Sequence, residues 1–403
     1  MKKILGIVLA LVMVFAMTSV AMADETGYSG ELKVWVSEES VGYTQELVDM
    51  FKAANPQYAD MTVTIQPVGE GDAASNMITD VEAGADIYTF AHDQLARLVA
   101  AGALEVVEEN NAAAITEENV PGAVQAVTLG GTMYAYPITV DNGYFLYYDK
   151  SVVTDPSTLE GILADCEAAG KNFYMEINSG WYDVAFFFGA GCTLTYDVDD
   201  EGNFVACNVD YASENGVRAL KAMITLAKSP AFVNGSSASN ASDIGAIVDG
   251  PWDAKAVQGL LGDNYAACKL PTVDGFQMGG FVGYKMIGVK PQTDEDKLAA
   301  CDALAAYLSS EEAQLYRFKA VEWGPSNIKA AEDEAVQNNI ALAAIADQMK
   351  YCVVQGQYPG DYWSLATALG DDVIGDKLDN ATDEELMAVL TTFQDTAASY
   401  AAN

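Results

Sequence analysis

Basic side chains are scarce in this 403-residue chain: 20 Lys and Arg stand against 58 Asp and Glu, giving a formal net charge of −38. Arginine is the rarest of them, at positions 97, 218 and 317 alone. A surface this acidic repels phosphate backbones and anionic lipids, so we expect no nucleic-acid or membrane-surface partner. Because Arg is the usual residue for gripping phosphate or carboxylate groups, its scarcity favours a neutral or cationic ligand.

Histidine is almost absent, since His92 is the single one, and the six cysteines form no C-x-x-C motif. Most zinc sites need several nitrogen or sulfur ligands, so we expect neither a metal ion nor a cofactor. Cys192 and Cys207 are equidistant from a turn at Asp199-Asp200, and a hairpin there could join them in a disulfide. The register of a hairpin is not fixed by sequence, so free thiols remain the alternative.

Long apolar runs are missing after the first residues. Residues 1–23 have a charged start, an apolar run from Ile4 to Val20 and the small-residue site Ala21-Met22-Ala23, which predicts a secretory signal peptide. No later stretch is long and apolar enough to span a bilayer. We therefore expect a mature chain from Asp24 in an extracytoplasmic location: periplasmic, cell-surface or secreted. No Cys lies near the cleavage site to carry a lipid.

Short apolar segments alternate with amphipathic ones along the first hundred residues. The pattern predicts strands at 32–36, 61–68 and 86–90, and helices at 45–53, 75–83 and 93–101. This alternation indicates a doubly wound α/β lobe with a mainly parallel sheet, in which ligands collect beyond the carboxyl ends of the strands. Ser37, Glu38, Glu39 and Asp93 follow two of these ends. Asp93 could equally be the N-cap of its helix.

A tyrosine-rich segment, residues 135–150, separates two α/β portions of the chain. Pro137 removes a ladder donor and Gly143 loosens the backbone, so the segment is predicted to be a bent strand at a hinge. A buried packing strand is the alternative. With the apolar strand at 281–289 as a second connection, we expect lobes made of 24–139 plus 287–330 and of 140–286 plus 331–403.

Large aromatic side chains fall at predicted loop ends rather than within helices or strands. They are Phe90, Trp181, Tyr182, Trp252 and Trp363. One such ring usually packs in the core, but several around one crevice would form flat apolar platforms. Carboxylates expected between them, Glu38, Glu39, Asp93 and Asp141, could accept hydrogen bonds from hydroxyl groups. A sugar, with an apolar face and a rim of hydroxyls, needs this combination.

The chain also resembles a known family. The run Asp86 to Asp93, then Ala135-Tyr136-Pro137-Ile138, Gly250-Pro251-Trp252, Phe281-Val282-Gly283 and Trp363 are similar in order and spacing to the solute-binding proteins of ABC importers. Within that family the maltose and maltodextrin type is the most similar. The resemblance implies a two-lobed periplasmic-binding-protein-like fold of type II, with a sugar held in a cleft between hinged lobes and no catalysis.

The resemblance also implies roles for individual residues. Phe90 matches a stacking aromatic, Asp93 and Asp141 match hydroxyl-binding carboxylates, and the three tryptophans match ring platforms. The segment 37–39 matches polar contacts from the first loop. The chain departs from the maltodextrin pattern at Gln94 and Thr367, which replace arginines, and at Ser179, which replaces a glutamate. These departures leave the sugar and its length open.

The sequence thus predicts an extracytoplasmic, monomeric carbohydrate-binding protein that captures a maltodextrin-like sugar and delivers it to an ABC transporter permease. A binder of the same fold for a cationic ligand such as a polyamine remains an alternative, because acids are in excess. A secreted glycoside-active enzyme is a further alternative. It would need two carboxylates at a defined separation, for which Asp93 and Asp141 are the candidates.

Overall fold

The computed structural model describes residues 27–401, so the predicted signal peptide lies outside the described residues. Within this range, two lobes are each built around one main β-sheet with helices on both faces. None of the helices in the described range has the length and hydropathy required to cross a membrane.

The first lobe begins with alternating strands and helices, and its sheet is completed by strands from later in the chain. Its early elements are β1 (Glu31–Val36), α1 (Val41–Ala54), β2 (Thr62–Pro67), α2 (Glu70–Thr79), β3 (Ile87–Ala91), α3 (Leu95–Ala100), α4 (Glu109–Glu118), α5 (Pro121–Ala126), β4 (Thr128–Leu129), β5 (Thr132–Met133) and β6 (Tyr136–Gly143). As predicted, β1 pairs in parallel with β2 and with β3. The helix predicted at 75–83 begins earlier, at Glu70.

The second lobe takes up the middle of the chain. Its elements are β7 (Phe145–Asp149), α6 (Leu159–Ala169), β8 (Asn172–Met175), α7 (Val184–Gly189), β9 (Leu194–Val198), β10 (Phe204–Val209), α8 (Glu214–Ala227), β11 (Phe232–Asn234), β12 (Ile244–Asp249), α9 (Ala254–Leu261), β13 (Tyr265–Cys268), β14 (Thr272–Val273) and β15 (Phe276–Gln277). Its sheet has the order β11-β8-β12-β7-β13. The β11-β8-β12 part is parallel, and β7 runs antiparallel to both of its neighbours.

The remaining elements return to the first lobe and then complete the second. They are β16 (Phe281–Val289), α10 (Glu295–Leu308), α11 (Glu311–Val321), α12 (Ile328–Ala331), α13 (Glu334–Gln337), α14 (Ile340–Gln348), β17 (Val353–Val354), α15 (Gly360–Ile374) and α16 (Asp383–Ser399). Strand β16 pairs antiparallel with β3 and β6. Thr382 and Glu385 form a capping box at the start of α16, and the side chain of Ser310 caps α11.

Three segments connect the lobes, and we call them the crossing segments. The first is β6 to β7, where sheet membership changes at Tyr144. The second is the start of β16, and the third contains β17, which pairs with β16 and leads into α15. The predicted lobe boundaries at 139/140 and 286/287 fall inside β6 and β16, so sheet membership does not change there. The pairing register shifts opposite Pro137, as expected for a residue without an N–H.

The β9–β10 hairpin also contacts the first lobe, and its register decides between the two alternatives left open for Cys192 and Cys207. Cys207 faces Tyr196 across the hairpin, and both Cys192 and Cys207 are free thiols. The pairing register of the hairpin, which could not be derived from the sequence, places Cys192 and Cys207 apart. At the tip, Gly202 has a φ of +87°, and a Cβ built there would lie 2.3 Å from the carbonyl oxygen of Ala96 in α3. The second lobe therefore contacts the first through a residue that must lack a side chain.

Candidate functional site

A cavity of about 720 Å³ lies between the lobes. Small-molecule sites typically occupy about 300–1,000 Å³. Both lobes and all three crossing segments contribute to its lining. Eight of the ten residues predicted as site residues line it: Ser37, Glu38, Glu39, Asp93, Trp181, Tyr182, Trp252 and Trp363. The exceptions are Phe90 and Asp141.

The first lobe contributes polar groups from the ends of its parallel strands. After β1, a 3-10 turn (Glu38–Ser40) leaves Glu38 and Glu39 exposed, while the hydroxyls of Ser37 and Ser40 are 2.8 Å apart and buried. After β3, the 3-10 turn His92–Gln94 places Asp93 against the cavity. The alternative role of Asp93 as a helix N-cap is not seen, since no side-chain cap bond is made there.

Asp93 lies in an unusual electrostatic environment. Its side chain is buried, and this desolvation raises its pKa to about 7, although the guanidinium of Arg97 opposes the shift. The neighbouring His92 has the opposite shift, because burial lowers its pKa to about 4. Its Nδ1 accepts a hydrogen bond from the backbone N–H of Tyr284 at 3.2 Å. Its Nε2 therefore donates to the carbonyl of Gln355.

The second lobe contributes the aromatic wall of the cavity. Trp181 lies in the turn after β8, and its ring centre is 6.3 Å from that of Trp252, in an edge-on arrangement. Trp252 is in the 3-10 turn Pro251–Asp253 after β12. Its ring covers Gly250, where a Cβ would lie about 2.1 Å from ring carbons, so this glycine makes room for the indole. Trp363 comes from the first turn of α15.

Gly180 allows the turn that carries Trp181 to pack against α15. A Cβ built at Gly180 would lie 2.5 Å from the Cβ of Ala366 and 3.4 Å from a ring carbon of Trp363. The three tryptophans are each half-buried, with Tyr182 packed below Trp181 at a ring-centre distance of 6.0 Å. The structure therefore brings the three tryptophans and Tyr182 together around one cavity, as the sequence predicted.

Phe90 is a correction, because its ring does not reach the cavity. Side chains alternate faces along a strand, so Phe90 points to the same side of β3 as Tyr88. Both rings are fully buried in the core of the first lobe, with centres 5.6 Å apart. The end of β3 was predicted correctly from the sequence, but Phe90 was assigned to the face of the strand that meets the cavity, and it lies on the other face.

Asp141 is the second correction. It lies on β6 but is buried beneath the cavity, where it accepts a hydrogen bond from the backbone N–H of Gly324. Burial raises its pKa to about 6, against the effects of that bond and of Lys285. Its side chain attaches the loop after α11 to β6. Asp93 and Asp141 are thus not brought together in the cavity as a pair.

Several lining residues were not among the predicted site residues, although Gln94 and Ser179 were named as departures from the maltodextrin pattern. They are Glu70, Asp72, Gln94, Asn142, Ser179, Lys285 and Gln355, with backbone from Gly69 and Gly71. Lys285 is the only basic side chain among the described residues that line the cavity. It is buried, and its Nζ lies 3.9 Å from a carboxylate oxygen of Glu70. A lone lysine within the apolar run 281–289 was the signal that could have identified it.

The fold and this cleft define a two-lobed ligand-binding protein in which a guest would contact both lobes. The chain belongs to the bacterial extracellular solute-binding protein family, whose model matches residues 46–344. This finding confirms the predicted family and indicates an extracytoplasmic location. Members of this family are binding proteins.

Individual relatives agree with that assignment. The galactooligosaccharide-binding protein of Bacillus subtilis (strain 168) is 22% identical over 379 residues, which covers 89% of this chain and 87% of the relative. A structure solved with acarbose superposes with a TM-score of 0.79 at 27% identity, covering 92% of this chain and 98% of the other. The maltodextrin-binding protein of L. casei BL23, solved without ligand, gives 0.73 at 23% identity, covering 94% and 100%. The predicted type II fold is confirmed.

Proposed function

We propose that this protein captures an oligosaccharide of the maltodextrin or galactooligosaccharide class in the cavity between its lobes. The observation that carries the proposal is the meeting of three tryptophans with carboxylates and hydroxyls in one cavity of about 720 Å³. Indole faces pack against the apolar faces of sugar rings, and the polar groups accept or donate hydrogen bonds at the hydroxyl rim. A guest held by both lobes would shift a hinge equilibrium toward closure.

The printed ligands of related proteins support the same ligand class. Relatives are described as galactooligosaccharide-binding and maltotriose-binding, and neighbouring structures hold acarbose or maltotetraose. We infer that the closed form delivers its ligand to an ABC transporter permease, as the family relationship implies. Export by a signal peptide cleaved after Ala23 and action as a monomer without a cofactor belong to this proposal.

Isothermal titration calorimetry of the purified mature chain against maltotriose, maltotetraose, acarbose and a β-linked galactotriose tests the proposal. We expect a one-to-one complex with at least one of these sugars. Intrinsic tryptophan fluorescence should change in the same titration, because the cavity holds three of the five tryptophans. If none of the sugars gives heat or a fluorescence change, the proposed function is wrong.

A cationic ligand is a second candidate, favoured by the charge of the cavity. Five acidic side chains line it, namely Glu38, Glu39, Glu70, Asp72 and Asp93, whereas the described lining includes a single lysine. Such a cavity attracts an ammonium group electrostatically. Titration with spermidine distinguishes the candidates: binding of spermidine without binding of sugars would assign the cavity to a polyamine.

We also propose that the protein does not hydrolyse its ligand. A glycosidase needs two carboxyl groups flanking the scissile bond, about 5–10 Å apart. Asp93 lines the cavity, but its sequence-proposed partner Asp141 lies beneath it and is already bonded to the backbone of Gly324. Chromatography of each sugar after prolonged incubation should show no shorter product, and the appearance of one would contradict this proposal.

A further inference from the structure

The cavity has a floor made by the crossing segments themselves. Each segment contributes one polar side chain: Asn142 from β6, Lys285 from β16, and Gln355 just after β17. All three are buried, with exposed fractions of 7%, 6% and 4%. We call these residues the cleft floor. They connect the ligand space directly to the backbone that joins the lobes.

Gln355 is held in place through its backbone. Its N–H donates to the carbonyl of Val282 at 2.9 Å, and its carbonyl accepts a hydrogen bond from His92. Two residues later, the side chain of Gln357 donates to the carbonyl of His92 at 2.7 Å and accepts from the N–H of Ala96 at 2.8 Å. The backbone of Gln355 is thus bonded to β16 and to the turn after β3.

The backbone of Gln355 is hydrogen-bonded, but the oxygen of its side chain is not. Its Oε1 is fully buried and has no hydrogen-bond partner among the residues described. A buried amide oxygen without a hydrogen-bond partner lowers the stability of the folded protein by about 1–3 kcal/mol. Such a group therefore calls for an explanation, and a bound ligand that donates a hydrogen bond to it is one. Gln355 lines the cavity, and rotation about the last torsion of its side chain, which is soft for an amide, turns Oε1 toward a bound guest.

We propose that Gln355 is a specificity-determining residue whose side-chain oxygen accepts a hydrogen bond from a hydroxyl of the bound sugar. This inference rests on the function proposed above and names a ligand contact on the third crossing segment. The Lys285 ammonium, which lines the same cavity, can only donate, whereas Gln355 Oε1 can only accept. A sugar hydroxyl can accept a hydrogen bond from Lys285 and donate one to Gln355. An ether oxygen cannot donate, and a deoxygenated position can do neither.

The variant Gln355→Met tests the inference, because Met keeps the length and volume of Gln but removes its hydrogen-bonding groups. For the tightest-binding sugar of the panel, we expect affinity to fall about 5- to 100-fold. The melting temperature of the free variant should stay level or rise, because the unsatisfied oxygen is gone. Gln355→Glu keeps an acceptor of the same shape and should recover most of the affinity. Gln258→Met, on the exposed face of α9, is the matched control and should bind as the wild type.

The outcomes separate cleanly. If the wild type binds a sugar and Gln355→Met binds it equally well, the inference is wrong while the proposed function stands. If Gln355→Met loses affinity and melting temperature together, and Gln355→Glu restores neither, the side chain has only a structural role and the inference is also wrong. If the wild type binds none of the sugars, the proposed function fails, and the assignment of Gln355 fails with it.

Discussion

The ammonium group of Lys285 lies 3.7 Å from the ring centre of Trp323, which is itself buried beneath the cavity. The same ammonium is 5.1 Å from the ring centre of Trp252 and 3.9 Å from a carboxylate oxygen of Glu70. Lys285 is buried at 6% exposure, and these three contacts offset part of the cost of taking an ammonium group out of water. Lys285 therefore links the first-lobe carboxylate to a second-lobe indole.

Removing Lys285 alone should be costly, because Glu70 would be left buried without its cation. We expect Lys285→Met to lower the free energy of unfolding by about 3–5 kcal/mol. Glu70→Gln in the same chain should restore part of the loss, since no unpaired charge then remains. Urea denaturation of the single and double variants gives the coupling energy. Strictly additive losses would show that the two side chains do not interact.

Gly202 should tolerate no side chain, and Gly131 provides the matched control. Both have a positive φ, +87° and +80°, but only Gly202 faces a backbone oxygen within 4 Å. We expect Gly131→Ala to cost about 1 kcal/mol of stability from backbone strain alone. Gly202→Ala should cost more, because Ala96 or the hairpin must move. Equal losses in denaturant unfolding would mean that the hairpin contact is loose.

Asp93 should make the stability of the free protein depend on pH. Its pKa is about 7 when folded and about 4 when unfolded, so between these values the folded state holds a proton that the unfolded state has released. Its contribution to stability is complete below pH 4 and falls as pH rises to 7, by as much as ~4 kcal/mol. The variant Asp93→Asn has no titrating group at this position, so its stability does not fall with pH for this reason.

The gain in stability from Asp93→Asn should therefore grow from pH 4 to pH 7 and then level off. Urea denaturation of both proteins at several pH values measures it. Parallel pH profiles for wild type and variant would contradict the burial of this carboxylate. Other titrating groups, including His92 with its lowered pKa, act equally in both proteins and cancel in the comparison.

Trp252 should matter for ligand affinity more than for folding. Its ring is half-buried against Gly250 and lines the cavity. We expect Trp252→Ala to weaken binding of the preferred sugar by about 2 kcal/mol, roughly 30-fold. Trp35→Phe is the control, because Trp35 lies outside the cavity lining and donates to Gln66 at 3.0 Å. Calorimetry showing equal affinity for Trp252→Ala would remove this ring from the site.

The six cysteines should all be present as thiols in the purified protein. Burial raises the pKa of Cys192 to about 11 and that of Cys352 to about 12, so neither is a reactive thiolate near neutral pH. We expect slow reaction with Ellman's reagent in the native state and six equivalents in denaturant without prior reduction. A count of four in denaturant would indicate one disulfide.

Most of the fold was predictable because its signals are local. Strands β1 and β3 were placed as short apolar segments between amphipathic ones, and the polar loops after them followed from the ends of parallel strands. Helix α2 was placed too late, since Gly71 in its first turn weakens the helical pattern there. Phe90 was misassigned because strand alternation reveals that two faces exist, but not which one meets the ligand.

The cleft floor could not be predicted, because its members are far apart in sequence. Asn142, Lys285 and Gln355 meet only when the pairings of β6, β16 and β17 are known. Lys285 alone has a local signal, as a lysine within the apolar run 281–289, whereas nothing in the sequence around Asn142 or Gln355 distinguishes them. The aromatic wall was found for the opposite reason: tryptophans placed directly in turns are conspicuous in a single sequence.

The contact between Gly202 and Ala96 attaches the lobes at a point apart from the crossing segments. Because the hairpin tip meets α3 away from those segments, a change in the angle between the lobes must alter this contact. The free energy of a contact that includes no ligand atom therefore contributes to the balance between the open and closed forms.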